Sequence, residues 1–315
     1  WIWVACTMVC APTLVRAEEA PPPGEASGLE TVVVTGSAIS GGVTKLEASY
    51  NIVTANEEQI RQSNPKSTAD LLKISPGLWP ESTGGQTGAN IEIAGFPGGG
   101  DAPYFTTLLM GSPVYGMPTL SFFETTTIFR LDDTVRAVEI LQGGPSVVFA
   151  GGQMGATANF FLKTGTDEPS GSVGLTYGDE NLWRVDGFYG FKVADSWYGS
   201  FGGFWRTSDG VRDPQFKADE GGQLTATLKR ESDAGDLVLY ARYLDDKNQF
   251  ITPIPLIQRG TDSFSAYPGF DPLTSTYNSR AIQHVRLDGY PNGGTTADLA
   301  DGRGAKMIFL GANFH

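Results

Sequence analysis

Residues 135–163 read VRAVEILQGGPSVVFAGGQMGATANFFLK, a stretch in which two strand patterns flank a glycine-rich centre. In residues 134–142, successive side chains fall alternately on two faces of an extended chain, which predicts a half-buried strand. The Gly143-Gly144-Pro145 sequence after it is a turn signal. Residues 159–164 (NFFLKT) predict a further strand. We expect this strand to close a compact unit that begins well upstream.

The chain upstream of this stretch carries helix signals between short strand patterns. Thr54 and Glu57 fit a capping box, in which each side chain satisfies a free amide at the start of a helix. Asn64-Pro65 is expected to cap and open a second helix. The apolar stripe of that helix is Ala69, Leu71, Leu72 and Ile74, and strand candidates lie at 50–53, 90–93 and 106–110. Residues 50–165 are therefore predicted to form one α+β domain.

From residue 171 the pattern changes to alternation at period two, with turn residues at intervals. Strands are predicted at 171–178, 182–193, 196–207, 222–232, 236–245 and 305–314. Short connections alternate with long ones, which is typical of an antiparallel transmembrane β-barrel, although period-two alternation alone fits a soluble β-sandwich as well. So few strands do not close a barrel, so we expect an incomplete, open sheet and a chain that is a fragment.

Residues 1–17 read WIWVACTMVCAPTLVRA, an apolar stretch with the small-residue ending of a signal-peptidase site. We expect a partial signal peptide cleaved after Ala17, with a short buried strand or helix as the alternative. Both cysteines, Cys6 and Cys10, lie in this segment, which leaves the mature chain without a disulfide framework or a cysteine metal site. Residues 18–49 are expected to be a linker, because they begin with a Pro- and Gly-rich run.

Within this linker, residues 29–36 read LETVVVTG, a β-branched run behind a flexible leader. Such a run could add as a strand to the edge of another protein's sheet. It could equally be the first strand of a domain. The sequence of this run alone leaves both interpretations open.

Three features in this order resemble the TonB-dependent outer-membrane receptors: the ETVVVTG run, the helix sequence ADLLKISPGL at 69–78, and the stretch at 135–163. That last stretch is similar to the family's Ile-Glu and Leu run, Gly-Pro turn, aromatic residue, glycine cluster and Asn-x-x-x-Lys. The resemblance implies a plug domain at 50–165 and, at 171–315, the first six strands of a barrel of roughly 22 strands. It also implies a TonB box that binds TonB by strand addition. The residues of this box are Glu30, Thr31, Val32, Val33, Val34, Thr35 and Gly36.

Membership of this family would imply an active transporter in the outer membrane of a Gram-negative cell, in contact with lipid. TonB, an energy-transducing partner from the inner membrane, would use the proton-motive force to move the plug. The cargo would be a scarce extracellular nutrient, first of all a ferric siderophore, with glycan, haem and cobalamin as alternatives. A passive outer-membrane barrel and an exported binding protein are the alternatives from other classes. We expect a monomer.

Aromatic side chains are concentrated in two plug loops, 96–105 and 115–123, that are expected to face outward. Aromatic rings there suit flat, sugar-like or catechol ligands, but they would equally pack against a barrel wall. The candidate ligand-binding residues are Phe96, Tyr104, Phe105, Tyr115, Phe122 and Phe123.

The chain departs from the family where plug arginines usually stand. Ile93-Ala94-Gly95 replaces an Ile-Arg-Gly sequence, and Leu141-Gln142-Gly143-Gly144-Pro145 replaces Leu-Arg-Gly-Pro. No ion lock between plug and barrel is therefore carried over from the family. The acidic pairs Asp132-Asp133 and Asp245-Asp246 are expected to be solvated turns.

Composition and motif content argue against other functions. With 35 Asp and Glu against 22 Lys and Arg, the formal charge of −13 disfavours nucleic-acid binding. The sequence contains no phosphate-loop or nucleophile-elbow pattern, and its two histidines, His284 and His315, have no metal-ligand spacing. We therefore expect no enzyme activity, no catalytic residue, no cofactor and no metal site.

Overall fold

The computed structural model describes residues 33–34, 43–44, 52–82, 89–97, 104–114, 126, 128–143, 154–211, 214–248, 255–258, 260–271, 275, 285–287, 295–297 and 304–314. These residues form an α+β unit, which ends with a strand at Ala156–Leu162, and a large antiparallel sheet that follows it.

Nine strands and two short helices build the first unit within the described residues. They are β1 (Val33–Val34), β2 (Val43–Thr44), β3 (Ile52–Asn56), α1 (Glu57–Ser63), α2 (Thr68–Leu71) with a 3₁₀ turn (Leu72–Ile74), β4 (Leu78–Glu81), β5 (Asn90–Ile93), β6 (Phe105–Leu109), β7 (Ser112–Pro113), β8 (Val135–Gln142) and β9 (Ala156–Leu162). Five of the strands form one sheet in the order β3-β8-β9-β6-β7. In it β6 and β9 are parallel and the other neighbours are antiparallel. Two further pairs, β1 with β2 and β4 with β5, are antiparallel.

The N-cap of the first helix lies two residues later in the chain than predicted, at Asn56 rather than Thr54. Asn56 and Gln59 form the capping box of α1, with Gln59 N donating to Asn56 Oδ1 at 2.9 Å and Asn56 N to Gln59 Oε1 at 3.0 Å. The prediction of Thr54 and Glu57 was wrong, because β3 continues through Asn56, which pairs with Ala137 of β8. Thr54 lies in the middle of this strand, opposite Glu139, and the chain leaves the extended conformation for the helix only after Asn56.

The predicted role of Asn64 was also wrong. Asn64 ends α1 in the left-handed conformation at φ 43°, which asparagine tolerates better than most residues. Ser67 is the cap of α2, and its hydroxyl accepts a hydrogen bond from Asp70 N at 3.1 Å. The expected apolar stripe does turn inward, since Leu71 and Leu72 are fully buried.

β8 is buried on both faces, so the prediction of a half-buried strand was wrong. Val138 and Ile140 are fully buried, and Glu139 between them is only 6% exposed. β8 lies in the sheet interior between β3 and β9. Val238 and Tyr240 of the second unit pack into the same apolar core. The second unit therefore contributes to the burial of this sheet, which the alternation of residues within β8 could not predict.

The second unit is a meander of long strands. In chain order it contains β10 (Ser170–Gly178), β11 (Leu182–Ala194), β12 (Trp197–Ser208), β13 (Asp219–Arg230), β14 (Leu237–Asn248), the hairpin of β15 (Leu256–Gln258) and β16 (Phe264–Ala266), the hairpin of β17 (Val285–Leu287) and β18 (Thr295–Ala297), and β19 (Gly304–Phe314). Six strands form one antiparallel sheet in the order β10-β11-β12-β13-β14-β19. In the described part of the chain β10 and β19 are the edges of this sheet, which confirms the predicted fold class of an α+β domain followed by an open antiparallel sheet.

The two faces of this sheet differ in chemistry. One face carries exposed apolar side chains, such as Trp205, Leu224 and Leu310, which are 51%, 67% and 76% exposed. The other face carries polar and charged side chains that are buried against the first unit, such as Arg206 and Gln223. In the part of the chain that the structure describes, no helix is both long and apolar enough to cross a membrane.

Candidate functional site

The segment 128–134, here called the latch segment, runs from the first unit along the polar face of the sheet. It is anchored to the first unit through α2: Thr68 Oγ1 donates to Phe129 O at 2.8 Å and accepts from Leu131 N at 2.9 Å. The Phe129 ring is fully buried, with its centroid 4.5 Å from that of Phe160 in β9. These contacts direct the alternate side chains Arg130 and Asp132 toward the sheet.

Arg130 meets a buried carboxylate of β14. Its Nε donates to Asp246 Oδ2 at 2.7 Å, and Asp246 also accepts from Arg206 of β12, through Nε at 3.0 Å and Nη2 at 2.8 Å. Arg206 Nη2 lies 3.4 Å from Asp219 Oδ1. The Asp246 side chain is 0% exposed and those of Arg206 and Arg130 are 1% and 5% exposed. Short, charge-assisted bonds of this kind are among the strongest polar contacts in proteins.

Asp132 meets a second set of side chains on the sheet. Its Oδ2 accepts from Gln223 Nε2 at 2.5 Å and lies 3.3 Å from Arg242 Nη2. The same two side chains donate to the carbonyl oxygen of Arg130, Arg242 at 2.6 Å and Gln223 at 2.9 Å. The other carboxylate oxygen, Oδ1, stays within the latch segment and accepts from the backbone and the hydroxyl of Thr134.

Arg184 completes the contact from β11. Its Nη2 donates to Leu131 O at 2.8 Å, and its guanidinium pairs with Asp186 at 2.6 and 2.7 Å and lies 4.2 Å from the centre of the Phe204 ring. The interface thus contains four arginines and four aspartates, namely Arg130, Arg184, Arg206, Arg242, Asp132, Asp186, Asp219 and Asp246. Equal numbers of opposite charges allow them to be buried together, although such pairs are costly to break.

The expectation that both acidic pairs are solvated turns was wrong for Asp132 and Asp246. Asp246 lies inside β14 on the inward register of the strand, and Asp132 lies in the latch segment. Asp245 does point outward, 3.2 Å from Lys306, and Asp133 accepts from Ser172 Oγ at 3.0 Å. A charged residue that shares a face with buried apolar side chains needs a partner, and this signal was present in β14.

Further hydrogen bonds join the two units toward the opposite end of the sheet. The carbonyl oxygen of Lys163 accepts from the hydroxyls of Ser200 at 3.1 Å and Thr227 at 3.2 Å. Asn313 Nδ2 of β19 donates to Met110 O at 2.6 Å, and Met110 and the following glycine form the tight turn between β6 and β7 with positive φ. The first unit is therefore held to the sheet at several separate points.

The connection between the two units carries Asp167. Its carboxylate accepts from Lys192 Nζ at 2.9 Å and from the Tyr198 hydroxyl at 3.4 Å. The hydrogen bond and charge of Lys192 hold the pKa of the Asp167 carboxyl below its usual value. This connection is thus tied to β11 and β12 by an ion pair that is accessible to solvent.

The predicted ligand-binding aromatics lie in two environments where they are described. Phe96 is half-buried, with its ring centroid 5.2 Å from that of the half-buried Tyr104, while Phe105 is 5% exposed and packs in the core. Phe96 also lines an open groove of about 470 Å³ formed by residues 77–79 and 92–96, which include Trp79, 72% exposed. Tyr115, Phe122 and Phe123 lie outside the described residues.

Of the predicted TonB box, the structure describes Val33 and Val34. They form β1, with Val33 opposite Thr44 and Val34 opposite Val43 in β2. Glu30, Thr31, Val32, Thr35 and Gly36 lie outside the described residues, as does the predicted signal peptide. Among the described residues, no group of three or more His, Cys, Asp and Glu is arranged to hold a metal ion.

Comparison with known proteins relates this architecture to a family. The family model of the TonB-dependent Receptor Plug Domain matches residues 44–157. No curated protein matches the chain. The fold is similar to that of the pyoverdine outer-membrane receptor FpvA from Pseudomonas aeruginosa PAO1, at 17% identity and a TM-score of 0.54 over 65% of this chain and 29% of that one.

Two other solved structures give the same result. The ferric-catecholate import receptor Fiu from E. coli K12 matches at 13% identity and a TM-score of 0.53, over 67% of this chain and 29% of its own. BauA, the ferric preacinetobactin receptor from Acinetobacter baumannii, matches at 17% identity and a TM-score of 0.51, over 64% and 29%. The chain spans less than a third of the length of these receptors. Residues 44–157 are therefore a plug domain of the TonB-dependent receptor type, and the antiparallel strands after it share the fold of these receptors.

Proposed function

We propose that the chain is part of an outer-membrane active transporter that imports a scarce nutrient under the drive of TonB and the proton-motive force. The main support is that a plug domain packs on the polar face of a sheet whose opposite face is apolar and exposed. Apolar side chains over so wide a face suit hydrocarbon rather than water. A filled pore conducts nothing until the plug moves, and the outer membrane holds no ion gradient, so energy must come through a partner.

The proposed layout assigns each part of the chain to a step. Residues 1–17 direct export and are removed after Ala17, and residues 18–49 tether the TonB box at 30–36. Residues 50–165 form the plug, and residues 171–315 contribute the first strands of the barrel wall. TonB pulls on the box, and the tether transmits this force to the plug. The receptor is a monomer in the outer membrane of a Gram-negative cell.

The proposed cargo is a ferric siderophore. Support comes from the receptors of similar fold, whose names refer to pyoverdine, ferric catecholate and ferric preacinetobactin. The aromatic residues Phe96 and Tyr104, half-buried at the end of β5 and the start of β6, have the chemistry to contact a catechol or another flat chelating group. Tyr115, Phe122 and Phe123 complete the proposed set of ligand-binding residues, from which the core residue Phe105 is removed.

The proposed TonB contact is strand addition to the box, which needs backbone donors and acceptors. A proline removes one N–H and prevents regular pairing, so Val33→Pro in the complete receptor is expected to reduce iron–siderophore uptake at least about tenfold. The matched control is Val43→Pro, which disturbs the β1–β2 pairing equally but leaves the box intact.

The measurement is uptake of ⁵⁵Fe carried by a panel of siderophores, in cells with and without TonB. The proposal requires uptake that depends on TonB, is lost in Val33→Pro and persists in Val43→Pro. Uptake that continues without TonB would indicate a passive barrel instead.

A further inference from the structure

Arg242 differs from the other arginines of the barrel wall in where its polar partners lie. Arg184 and Arg206 keep carboxylate partners on the barrel itself. Among the described residues, the Arg242 side chain hydrogen-bonds to the plug alone, to Arg130 O at 2.6 Å and to Asp132 Oδ2 at 3.3 Å. Its guanidinium also lies 4.5 Å from the centre of the Phe129 ring, which belongs to the latch segment as well.

This arginine has unused hydrogen-bonding capacity. Arg242 is 1% exposed, and within the described structure its Nε and Nη1 have no hydrogen-bond partner. A guanidinium binds a carboxylate best through two parallel N–H groups. Asp132 uses only Nη2, because its Oδ1 is already committed to Thr134. The plug carboxylate therefore fills this position only in part.

Two side chains of the neighbouring strand β13 lie near Arg242. Thr225 lies directly opposite Arg242 in the sheet, and its buried hydroxyl has no partner among the described atoms. Gln223 donates through Nε2 to the same Asp132 oxygen that Arg242 contacts. A guanidinium and an amide N–H that meet at one oxygen, with a hydroxyl on the neighbouring strand, are donors of the kind that bind a carboxylate.

We propose that Arg242, Gln223 and Thr225 form an oxyanion-binding site on the inner barrel wall, which Asp132 of the plug occupies as a tethered carboxylate. When the latch segment leaves the wall, no other carboxylate of the described residues pairs with Arg242, and a buried, unpaired guanidinium is costly. A carboxylate or similar oxyanion group of the cargo removes that cost by taking the vacated position. Occupancy of the site by the cargo and release of the latch segment then favour each other by the same factor.

The assignment of the incoming anion to the cargo rests on the proposed transport function, whereas the site itself does not. The site can therefore be tested on the purified complete receptor in detergent, with acetate as the probe. The readout is hydrogen exchange of peptides that cover the latch segment, because it reports local opening of that segment.

Asp132→Ala is expected to accelerate exchange of the latch segment at least about tenfold, since it removes the anionic partner of a buried donor set. Acetate is expected to restore slow exchange in Asp132→Ala and not in Asp132→Ala/Arg242→Gln. The matched control is Asp133→Ala, whose carboxylate contacts Ser172 and not Arg242, so acetate should leave its exchange unchanged. In the unmodified receptor acetate should instead accelerate exchange of the latch segment, because it competes with Asp132 for the site and so favours release.

Acetate protection that is equal in Asp132→Ala and in the double variant would overturn the proposal, and so would absence of protection in a folded Asp132→Ala receptor. Asp132→Ser, which removes the carboxylate and still leaves room for acetate, provides the same comparison if the alanine variant does not fold. Neither measurement involves TonB or cargo. Acetate rescue without TonB-dependent uptake would support the oxyanion site and contradict the transport function. TonB-dependent uptake without acetate rescue would support the transport function and contradict the site.

Discussion

Replacement of Asp246 by alanine tests whether the buried ion cluster holds the plug to the wall. The Asp246 carboxylate accepts three charge-assisted hydrogen bonds, one from Arg130 and two from Arg206, and its side chain is 0% exposed. Its removal leaves two guanidiniums buried. Arg206 stays 3.4 Å from Asp219, and Arg130 keeps its hydrogen bond to Thr126 O at 3.0 Å.

Breaking one partner out of a buried pair costs about 3–5 kcal/mol, and we expect Asp246→Ala to lower the free energy of unfolding by that amount. The neighbouring Asp245 provides the control. Its side chain is 45% exposed and pairs with Lys306, which is 72% exposed, so Asp245→Ala should cost about 0–1 kcal/mol.

The assay is urea unfolding of the complete receptor in detergent, followed by tryptophan emission, together with hydrogen exchange of the latch segment. Asp246→Ala should accelerate exchange at 128–134 while exchange in β10 stays unchanged. Equal losses of stability in the two variants, or a loss of stability without faster exchange of the latch segment, would refute the idea that this cluster anchors the plug. Asp246→Asn, which keeps the side-chain volume, separates loss of charge from loss of packing.

Two further predictions concern the ion pair between the units and the corrected helix cap. Lys192 lowers the pKa of Asp167 in the folded protein, so the ion pair stabilises the fold fully above the pKa of Asp in the unfolded chain, about 3.9. This contribution is lost as the pH falls through the folded pKa. Asp167→Asn should remove this dependence in unfolding experiments at acid pH, and an unchanged pH profile would contradict the assignment. Asn56→Ala should destabilise the plug by about 1 kcal/mol in the same urea assay, whereas Thr54→Ala should have the smaller effect if Asn56 rather than Thr54 caps α1.

The local elements could be predicted from the sequence because their signals are short-range. Alternation in residues 236–245 reflects the same two faces that β14 presents in the structure, and the apolar residues Leu71 and Leu72 mark the buried side of α2. The cap of α1 was different. The Thr54 and Glu57 pattern fits a capping box locally, but Thr54 is held in β3 by its pairing with Glu139 of β8, a contact between distant parts of the chain.

The ion cluster could not be predicted for the same reason. Arg130 and Asp246 are 116 residues apart, and the family positions where arginines were expected hold Ala94 and Gln142. Gln142 Nε2 donates to Ser75 Oγ at 2.7 Å and Pro76 O at 2.6 Å, within the plug. The link between plug and wall therefore passes through other side chains, and three of its four arginines stand on the barrel strands.

A polar interface of this kind is suited to a contact that must open and close. Apolar side chains of equal volume would often stabilise such an interface more than buried ion pairs do, so maximal adhesion is not what this arrangement provides. Ion pairs depend on position: displacement of the latch segment separates Arg130 from Asp246 and Asp132 from Arg242 together. Once separated, each charged group regains hydration if water enters the gap, whereas an apolar interface would expose surface that water does not stabilise. The plug is thus held in one register on the wall by contacts whose rupture is compensated, in part, by the water or the oxyanion that follows.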